Sequence, residues 1–579
     1  MTFATLAHFF QKLEQTPSRN TMTEILADLF RHAGKEEIGK ICYLLQGRVV
    51  PLYEAVEFGV ADKFMIRAIA QAYGVEQKDV VRAFKKAGDL GAAAEKCYHV
   101  LEHRNNSRLT VADVYERLYA LAQSTGEGSQ ERKITILADV FKSVDSLSAR
   151  YIARIPLHKL RLGFSDMTML DGLSWMLTGD KSLRVKLEEV YNVRPDIGFI
   201  AEAVKEHGTK GLAHVKAKVG APILASLCQR LPNADEMIKK MGTVSVEGKY
   251  DGVRVQIHFQ TVRQKDGKTI RVQSFSRNLE NTTEMFPELQ NIGKQLHASE
   301  AILDSEAVGM DPKTGKLIPF QETMTRKRKH DIEKTRGNVP LKFFVFDILY
   351  KNGKDLLGEP LSKRREILEQ TVKMGKALVI SPQIVTDHAS EVRIFHDEQI
   401  KKGLEGAVVK KWDSAYEPGR RGYSWVKFKE EEGKTGKLTD TIDAVVMGYY
   451  RGEGKRSGFG IGAFLVGVKK GEDFVTVTKI GTGVSDELWK ELKKRLNALK
   501  VNEKPKEYAE VHKNFIPDVW VSPKLVVEIA GDDLTRSPTH GAGIAVRFPR
   551  LVRIRDDKSP KDATTVSEVQ QMYAQQGGK

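Results

Sequence analysis

Cysteine is scarce in this chain: three in 579 residues, at Cys42, Cys97 and Cys228, with no Cys-x-x-Cys among them. That scarcity excludes a disulfide framework and a four-cysteine zinc site within one chain. No run of about eighteen apolar residues appears, so no membrane-spanning helix is expected. The pattern G-x-x-x-x-G-K-S/T is missing too, which excludes a Walker-type phosphate loop and, with it, a motor ATPase built on one. There are no internal repeats. The first residues lack a basic stretch leading into a continuous apolar one. Instead Phe3, Leu6, Phe10 and Leu13 recur at helical spacing, and the segment reads as a folded helix and not a signal peptide. With reduced cysteines and no targeting signal, cytoplasmic residence is the expectation.

Acidic side chains are also in deficit, 76 Asp and Glu against 92 Lys and Arg, for a formal net charge of +16. A solvated basic surface would account for some of this. An excess of that size in a large chain points further, to a polyanionic partner whose phosphates are neutralised in a salt-sensitive way.

The length implies two to four domains. Residues 1–218 are patterned as helices almost throughout: Ile25, Leu26 and Leu29 form one apolar stripe, Ile38, Ile41, Leu44 and Leu45 another, Val114, Leu118 and Leu121 a third. Ser129, after the glycine-rich loop from Gly126, is expected to cap a helix. Arg150, Arg154, His158, Lys159 and Arg161 place positive charge at near-helical spacing, either as a solvated face or as a grip on a phosphodiester backbone. Residues 219–432 change to short β-type runs with a few helices. The cluster Arg326–His330 within them reads as a surface contact or a solvated segment, and not as an import signal. Glu430 to Asp440, polar and glycine-containing, reads as a hinge. Residues 433–579 hold short strands (Ala444–Val446, Phe464–Val468, Phe474–Val477, Leu525–Ile529) with glycine-rich turns, which suits a small β-barrel. Gln575–Lys579 is expected to be a loose tail.

The chemistry-bearing motif is Glu247-Gly248-Lys249-Tyr250-Asp251-Gly252-Val253-Arg254. Alternation puts Glu247 and Lys249 on one face of a strand, with Val244 and Val246 on the other. Asp251-Gly252 is a turn signal, and Val253, Val255, Ile257 and Phe259 alternate again, so a hairpin presenting the lysine is expected. A nucleophilic lysine needs such acidic and basic neighbours, because its ordinary pKa near ~10.4 leaves it protonated. An exposed turn between two strands is the plain alternative. Further elements follow in order: Leu303-Asp304-Ser305-Glu306, Phe343-Phe344-Val345-Phe346-Asp347, Glu405-Gly406-Ala407-Val408-Val409-Lys410, Trp425-Val426-Lys427-Phe428-Lys429 and Arg553-Ile554-Arg555-Asp556-Asp557-Lys558. This series resembles the ordered motifs of the covalent nucleotidyltransferases, specifically the ATP-dependent DNA ligases of archaeal type. The resemblance spans nearly the whole chain.

The resemblance implies a multidomain fold: an all-α N-terminal DNA-binding domain, an α+β nucleotidyltransferase (adenylation) domain and a C-terminal β-barrel OB-fold. It implies nick sealing in duplex DNA with ATP as donor, in replication, recombination and repair. The missing four-cysteine module argues against the NAD-dependent relatives. Lys249 is the expected nucleophile. Glu247 is placed at the adenine edge, Phe346 against the adenine ring, and Arg254, Arg277, Arg421, Lys427 and Lys429 around the nucleotide phosphates. Glu306 and Glu405 are the expected Mg²⁺ ligands, Glu306 also lining the nucleotide site, while Asp304 reads better as a structural ion-pair partner. Arg555 and Lys558 are implied to orient the β- and γ-phosphates. Expected partners are nicked double-stranded DNA and a candidate sliding clamp, with no membrane. The protein is expected to be a monomer in a prokaryotic cytoplasm, associated with the nucleoid while acting. An RNA ligase or capping-type nucleotidyltransferase is the enzymatic alternative, disfavoured by the helical N-terminal third. A non-catalytic clamp with a decayed site is the other, disfavoured by the intact motif centres.

Overall fold

The computed structural model describes residues 1–98, 109–160, 162–231, 233–264, 267–311, 313–318, 340–420, 422–428, 441–452, 460–481, 484–509 and 511–575. These divide into two compact units, residues 1–429 and 430–579. Glu430–Asp440, Arg326–His330, Arg161, Arg421 and Lys429 lie outside the described residues.

The first unit begins with a helical region running from Phe3–Gln15 to Ile197–His207. Its apolar stripes converge on one core that includes Phe3, Leu26, Ile41, Leu118 and Val215. Burial of such stripes, more than intrinsic propensity, is what holds helices of nine to fourteen residues. Caps mark the starts: Thr110 and Asp113 satisfy each other's backbone N–H groups, and Asp145 accepts from Ser148 N. Ser129 is not a cap. It is the first residue inside its helix, because Gly128 adopts φ +70° and turns the chain one position earlier.

The expected basic grip at 150–161 is largely used up internally. Arg154, 5% exposed, donates to Asp89 and Glu14, and Arg150 to Glu95. Lys159 pairs with Asp62 at 3.1 Å. Arg150 and Arg154, spaced like a solvated face, are here folded inward onto carboxylates distant in sequence, while Lys159 stays half-exposed.

The rest of the first unit carries two antiparallel-dominated sheets. We number the strands β1 (Val244–Gly248), β2 (Val253–Gln264), β3 (Gly267–Ser276), β4 (Glu300–Gly309), β5 (Leu341–Lys351), β6 (Leu378–Ile380), β7 (Gln383–Thr386), β8 (Ala407–Lys411) and β9 (Trp425–Phe428). One sheet runs Gln229–Arg230, β9, β8, β1, β7; the other runs β3, β2, β4, β5, with β6 parallel beside β5. The expected hairpin between β1 and β2 is therefore absent. β1 pairs with β8 and β7, whereas β2 pairs with β3 and β4. Asp251-Gly252 carries the chain from one sheet to the other instead of folding it back. Gly252 makes that crossing possible: a Cβ there would sit 2.4 Å from Ala307 O and 2.9 Å from Glu306 Cγ. The helical region joins this part through Tyr53 packed on Phe275, and through Arg420 paired with Glu189.

The second unit is strand-rich. β10 (Ile442–Tyr450), β11 (Ala463–Lys470), β12 (Asp473–Ile480), β13 (Val519–Val521) and β14 (Val526–Ala530) are followed by the hairpin β15 (Asp533–Arg536) and β16 (Ile544–Arg547), then β17 (Arg550–Ile554). β10 is central, bonded to β11 on one edge and successively to β13 and β14 on the other. One strand serving two partners along a single edge curls the sheet around Phe464, Val466, Val527 and Ile529, with helix Asp486–Ala498 packed on it through Trp489 and Leu492.

Candidate active site

Strand register gathers the motif residues. In the first sheet, Glu247 faces Val408, which faces Lys427; two residues along, Ser245 faces Lys410, which faces Trp425. Residues two apart share a face. Glu247, Lys410, Trp425 and Lys427 therefore stand on the same side of this sheet, and Lys249 leaves the end of β1 on that side. Its backbone is tied to the start of β8: Lys249 N donates to Gly406 O at 2.9 Å, and Glu405 N donates to Lys249 O at 3.0 Å. Gly406 is required there, with φ +128° and the Phe428 carbonyl 2.3 Å from where a Cβ would be. Lys249 Nζ then donates to Glu405 Oε2 at 2.5 Å, and the lysine is 24% exposed, so its amine is held but reachable.

Opposite stands the second sheet. Arg254 on β2 faces Glu306 on β4, which faces Phe344 on β5. Glu306 lies among Arg254, Lys249, Asp304 and Glu405. Burial first, and the two neighbouring carboxylates after it, push its carboxyl up to about 7 against the pull of Arg254 and Lys249. Arg254 is gripped by Asp304 through Nε (3.1 Å) and Nη2 (2.7 Å), and donates through Nη1 to Ser226 O at 2.7 Å. Tyr416 OH adds a hydrogen bond to Asp304 at 2.8 Å. Asp304 is thus a structural partner of Arg254. Arg277 is exposed, and lines one cleft with Arg254 and Asp304.

Phe346 reaches the site through an irregularity. The register of β5 shifts between Val345, opposite Ser305, and Asp347, opposite Asp304, leaving Phe346 as the extra residue. Such a bulge re-aims one side chain. Phe346 meets Trp425 edge-on, with ring centroids 5.9 Å apart, and lies 4.5 Å from Lys410 Nζ and 5.4 Å from the Arg254 guanidinium. Phe343 is core, as its run suggests. Phe344 instead stacks on Tyr250 at 4.3 Å.

One residue that the sequence reading left without a role is at the centre. Lys410 Nζ donates to Glu247 Oε1 at 2.9 Å, both side chains nearly fully buried, and lies 4.3 Å from the Trp425 ring. Its only sequence signal is its place directly after the apolar pair Val408-Val409 in the Glu405–Lys410 motif. Burial raises the Glu247 carboxyl above its ordinary value, and the Lys410 ammonium opposes that rise.

The remaining predicted residues, Arg555 and Lys558, belong to the second unit. Lys558 Nζ donates to Asp443 Oδ2 at 2.6 Å, and Arg555 is bound by Asp443, Glu528 and Asp557. Among the described residues no group of three or more His, Cys, Asp or Glu could hold a metal ion, and no helix is long and apolar enough to cross a membrane.

In its chemistry, the first-unit site offers a held amine, a buried Glu247–Lys410 pair beside the Phe346 and Trp425 rings, and cations around it. Three family models match: DNA ligase N terminus over residues 2–174, ATP dependent DNA ligase domain over 222–429, and ATP dependent DNA ligase C terminal region over 457–558. A probable DNA ligase of Dictyoglomus turgidum is 41% identical over 99% of this chain and 97% of its own length. DNA ligase 2 of Thermofilum pendens is 40% identical over 100% and 98%. The solved structure Pmar-Lig_PreS3 aligns with a TM-score of 0.53 over 95% of this chain and 99% of that one, at 17% identity, a likeness of fold alone.

Proposed function

The chain belongs to the ATP-dependent DNA ligase family, and from that membership we propose Lys249 as the residue that carries adenylate. The enzyme seals nicks in duplex DNA, joining a 3′-hydroxyl to a 5′-phosphate through lysyl-AMP and DNA-adenylate intermediates; an RNA ligase or capping enzyme is not favoured, since all three family models are those of DNA ligases. The observation that carries the assignment of Lys249 is its hydrogen bond to Glu405, beside Glu306.

In the first step the Lys249 amine attacks the α-phosphorus of ATP; the N–P bond forms as the bond to pyrophosphate breaks, and Glu405 is placed to take the lysine proton. In the second, the oxygen of a DNA 5′-phosphate displaces Lys249 from the adenylate phosphorus. In the third, the 3′-hydroxyl attacks the activated 5′-phosphate and AMP leaves. Two successive displacements at the adenylate phosphorus replace one difficult condensation. We assign adenine to the face of Phe346, with Glu247 at its edge, and the α-phosphate to Lys427, supported by Arg254, Arg277, Arg421 and Lys429. Fixed cations around phosphorus stabilise charge that shifts between oxygens, which is the larger part of phosphoryl-transfer catalysis. Arg555 and Lys558 orient the β- and γ-phosphates, so Arg555→Ala or Lys558→Ala impairs self-adenylation more than sealing of a pre-adenylated nick.

Glu306 and Glu405 would hold Mg²⁺. Their fit rests on Glu405 lying beside Glu306, whose carboxyl is pushed up by burial first and by its carboxylate neighbours after it, a rise that a divalent cation would relieve. When bound, that ion supplies Lewis-acid neutralisation of phosphate charge. We keep the domain boundaries at 218/219 and 432/433, the first supported by a helical core that ends at Val215. Nicked duplex DNA is the substrate, a sliding clamp a candidate recruiter, the monomer the working form, and the nucleoid the place of action.

The deciding test incubates the protein with α-labelled ATP and Mg²⁺ and seeks an acid-labile adduct that Lys249→Ala abolishes. The variant is expected to keep nick binding and lose sealing. Sealing by Lys249→Ala would overturn the assignment, and an adduct formed with GTP but not ATP would favour capping chemistry.

A further inference from the structure

Within the second unit, the two cations of the last motif share one carboxylate. Asp443 sits on β10, and its backbone is fixed on both sides: its N–H donates to Thr564 Oγ1 at 2.9 Å, and its carbonyl accepts from Thr564 N at 2.8 Å. Across the sheet it faces Glu528 on β14, which faces Arg553 on β17. The Asp443 carboxylate receives Lys558 Nζ at 2.6 Å and Arg555 Nη1 at 3.1 Å. Glu528 receives Arg555 Nη1 at 3.4 Å and is itself held by Arg553 and Thr441. Asp443, Glu528 and Arg555 are 12–14% exposed at their side chains.

The other edge of the Arg555 guanidinium is differently held. Nε and Nη2 donate as a fork to Asp557, at 2.8 and 2.7 Å, and Asp557 is 63% exposed. So the arginine has an inner edge anchored on fixed strand residues and an outer edge covered by one solvent-facing carboxylate. Lys558 keeps two of its three N–H donors beyond the Asp443 bond. A planar fork bound at its inner nitrogen is pre-oriented for a phosphate that displaces the outer carboxylate.

We propose that Asp443 is the positioning residue of this motif, a seat that aims Arg555 and Lys558 together, while Asp557 is the exchangeable cover that a phosphate oxygen replaces. Glu528 supports Arg555 alone. The inference rests on the reading that Arg555 and Lys558 orient the terminal phosphates of ATP during lysine adenylation. No bond to phosphorus is made or broken by Asp443; it acts only through the direction and separation of the two cations.

The test uses the full-length protein and two assays: single-turnover self-adenylation across ATP concentrations, and sealing of a pre-adenylated nick. Asp443→Asn preserves shape but removes the charge that both cations share. It is expected to raise the ATP concentration for half-maximal adenylation by roughly ten- to a hundredfold, as misplaced contacts do, with a smaller fall in the maximal rate. Sealing of the pre-adenylated nick should stay within about twofold, and adding Asp443→Asn to Lys558→Ala should cost less than it does alone, since one acts through the other. Asp443→Glu should recover part of the loss. Wild-type adenylation by Asp443→Asn, equal loss in both assays, or a loss that multiplies fully with Lys558→Ala would each overturn the inference. Should Asp443→Asn fail to fold, Glu528→Gln carries the test: it is expected to raise half-saturation by about threefold through Arg555 alone, and no change would overturn it. Normal adenylation by Lys558→Ala would instead refute the underlying reading of the motif.

Discussion

Replacing Lys410 by methionine isolates the buried charge pair beside the Phe346 and Trp425 rings. Glu247 is 3% exposed and Lys410 1%, with Nζ and Oε1 2.9 Å apart. Methionine nearly matches the lysine stem in volume, so little of the effect comes from a cavity. What remains is a carboxylate left in a site it entered with a partner. Removing one member of such a pair costs about 3–5 kcal/mol, because the survivor keeps its desolvation penalty without compensation. Arg365 and Asp347 also act on Glu247, with opposite signs, so neither replaces Lys410.

The pH dependence follows from the same carboxylate. Burial already raises Glu247 above its ordinary value, and losing Lys410 raises it further. A folded state that holds a proton more tightly than the unfolded chain is most stable at low pH. That stability is fully present below the ordinary glutamate value of about 4.3 and is lost as pH rises through the raised folded value. Lys410→Met should therefore show its whole deficit near pH 8 and a clearly smaller one near pH 5. Because a chain with two compact units does not unfold in one step, the local opening free energy of the β1 and β8 amides, from hydrogen exchange corrected for intrinsic rates, is the right readout. The double variant Glu247→Gln/Lys410→Met removes both charges and should recover most of the loss. A deficit below about 1 kcal/mol at pH 8, one that ignores pH, or a double variant worse than the single would refute the reasoning.

Other expectations follow from the same geometry. Glu405→Gln weakens the hold on Lys249 and should slow single-turnover adenylation by about a hundredfold with the fold intact by circular dichroism; a change under about threefold would contradict that role. Gly252→Ala forces a methyl against Ala307 O and should lower stability by about 1–3 kcal/mol and reduce the labelled adduct, whereas a thermal midpoint equal to wild type would show that the crossing can relax. Nick binding should weaken at least ~10³-fold between 50 and 200 mM salt, and a flat log–log plot would exclude a phosphate-dominated interface. Arg154→Met should destabilise the helical region without changing that salt slope, since its guanidinium is committed to Asp89 and Glu14.

What could be read from the sequence, and what could not, divides by the range over which the decisive contacts act. Alternation and helical stripes are local, and the helical region, the strands and the lysine motif were visible from them. The partner of β1 was not. An Asp-Gly beside two alternating runs is the usual mark of a hairpin, yet Glu247 pairs across to Val408 and β2 turns to another sheet. Only the close passage of Gly252 beneath Ala307 distinguishes the two outcomes, and that passage exists only once the sheets are packed. The same limit applies to charge. Arg150 and Arg154 carry the spacing of a solvated stripe, but their carboxylates come from residues 14, 89 and 95, and no local pattern announces them.

The aromatic lining makes the argument sharper. In Phe343-Phe344-Val345-Phe346 strict alternation would put Phe344 and Phe346 on one face, equally placed for a ligand. The bulge between Val345 and Asp347 breaks the equivalence: Phe344 turns to Tyr250 and Phe346 to Trp425. A one-residue change of register decides which ring meets Trp425, and its cause is the pairing of β5 with Ser305 and Asp304 on β4. Asp304 is held in turn by Arg254 and Tyr416. The ion pair that sequence reasoning set aside as merely structural thereby fixes both the arginine beside Glu306 and the strand position that aims the ring.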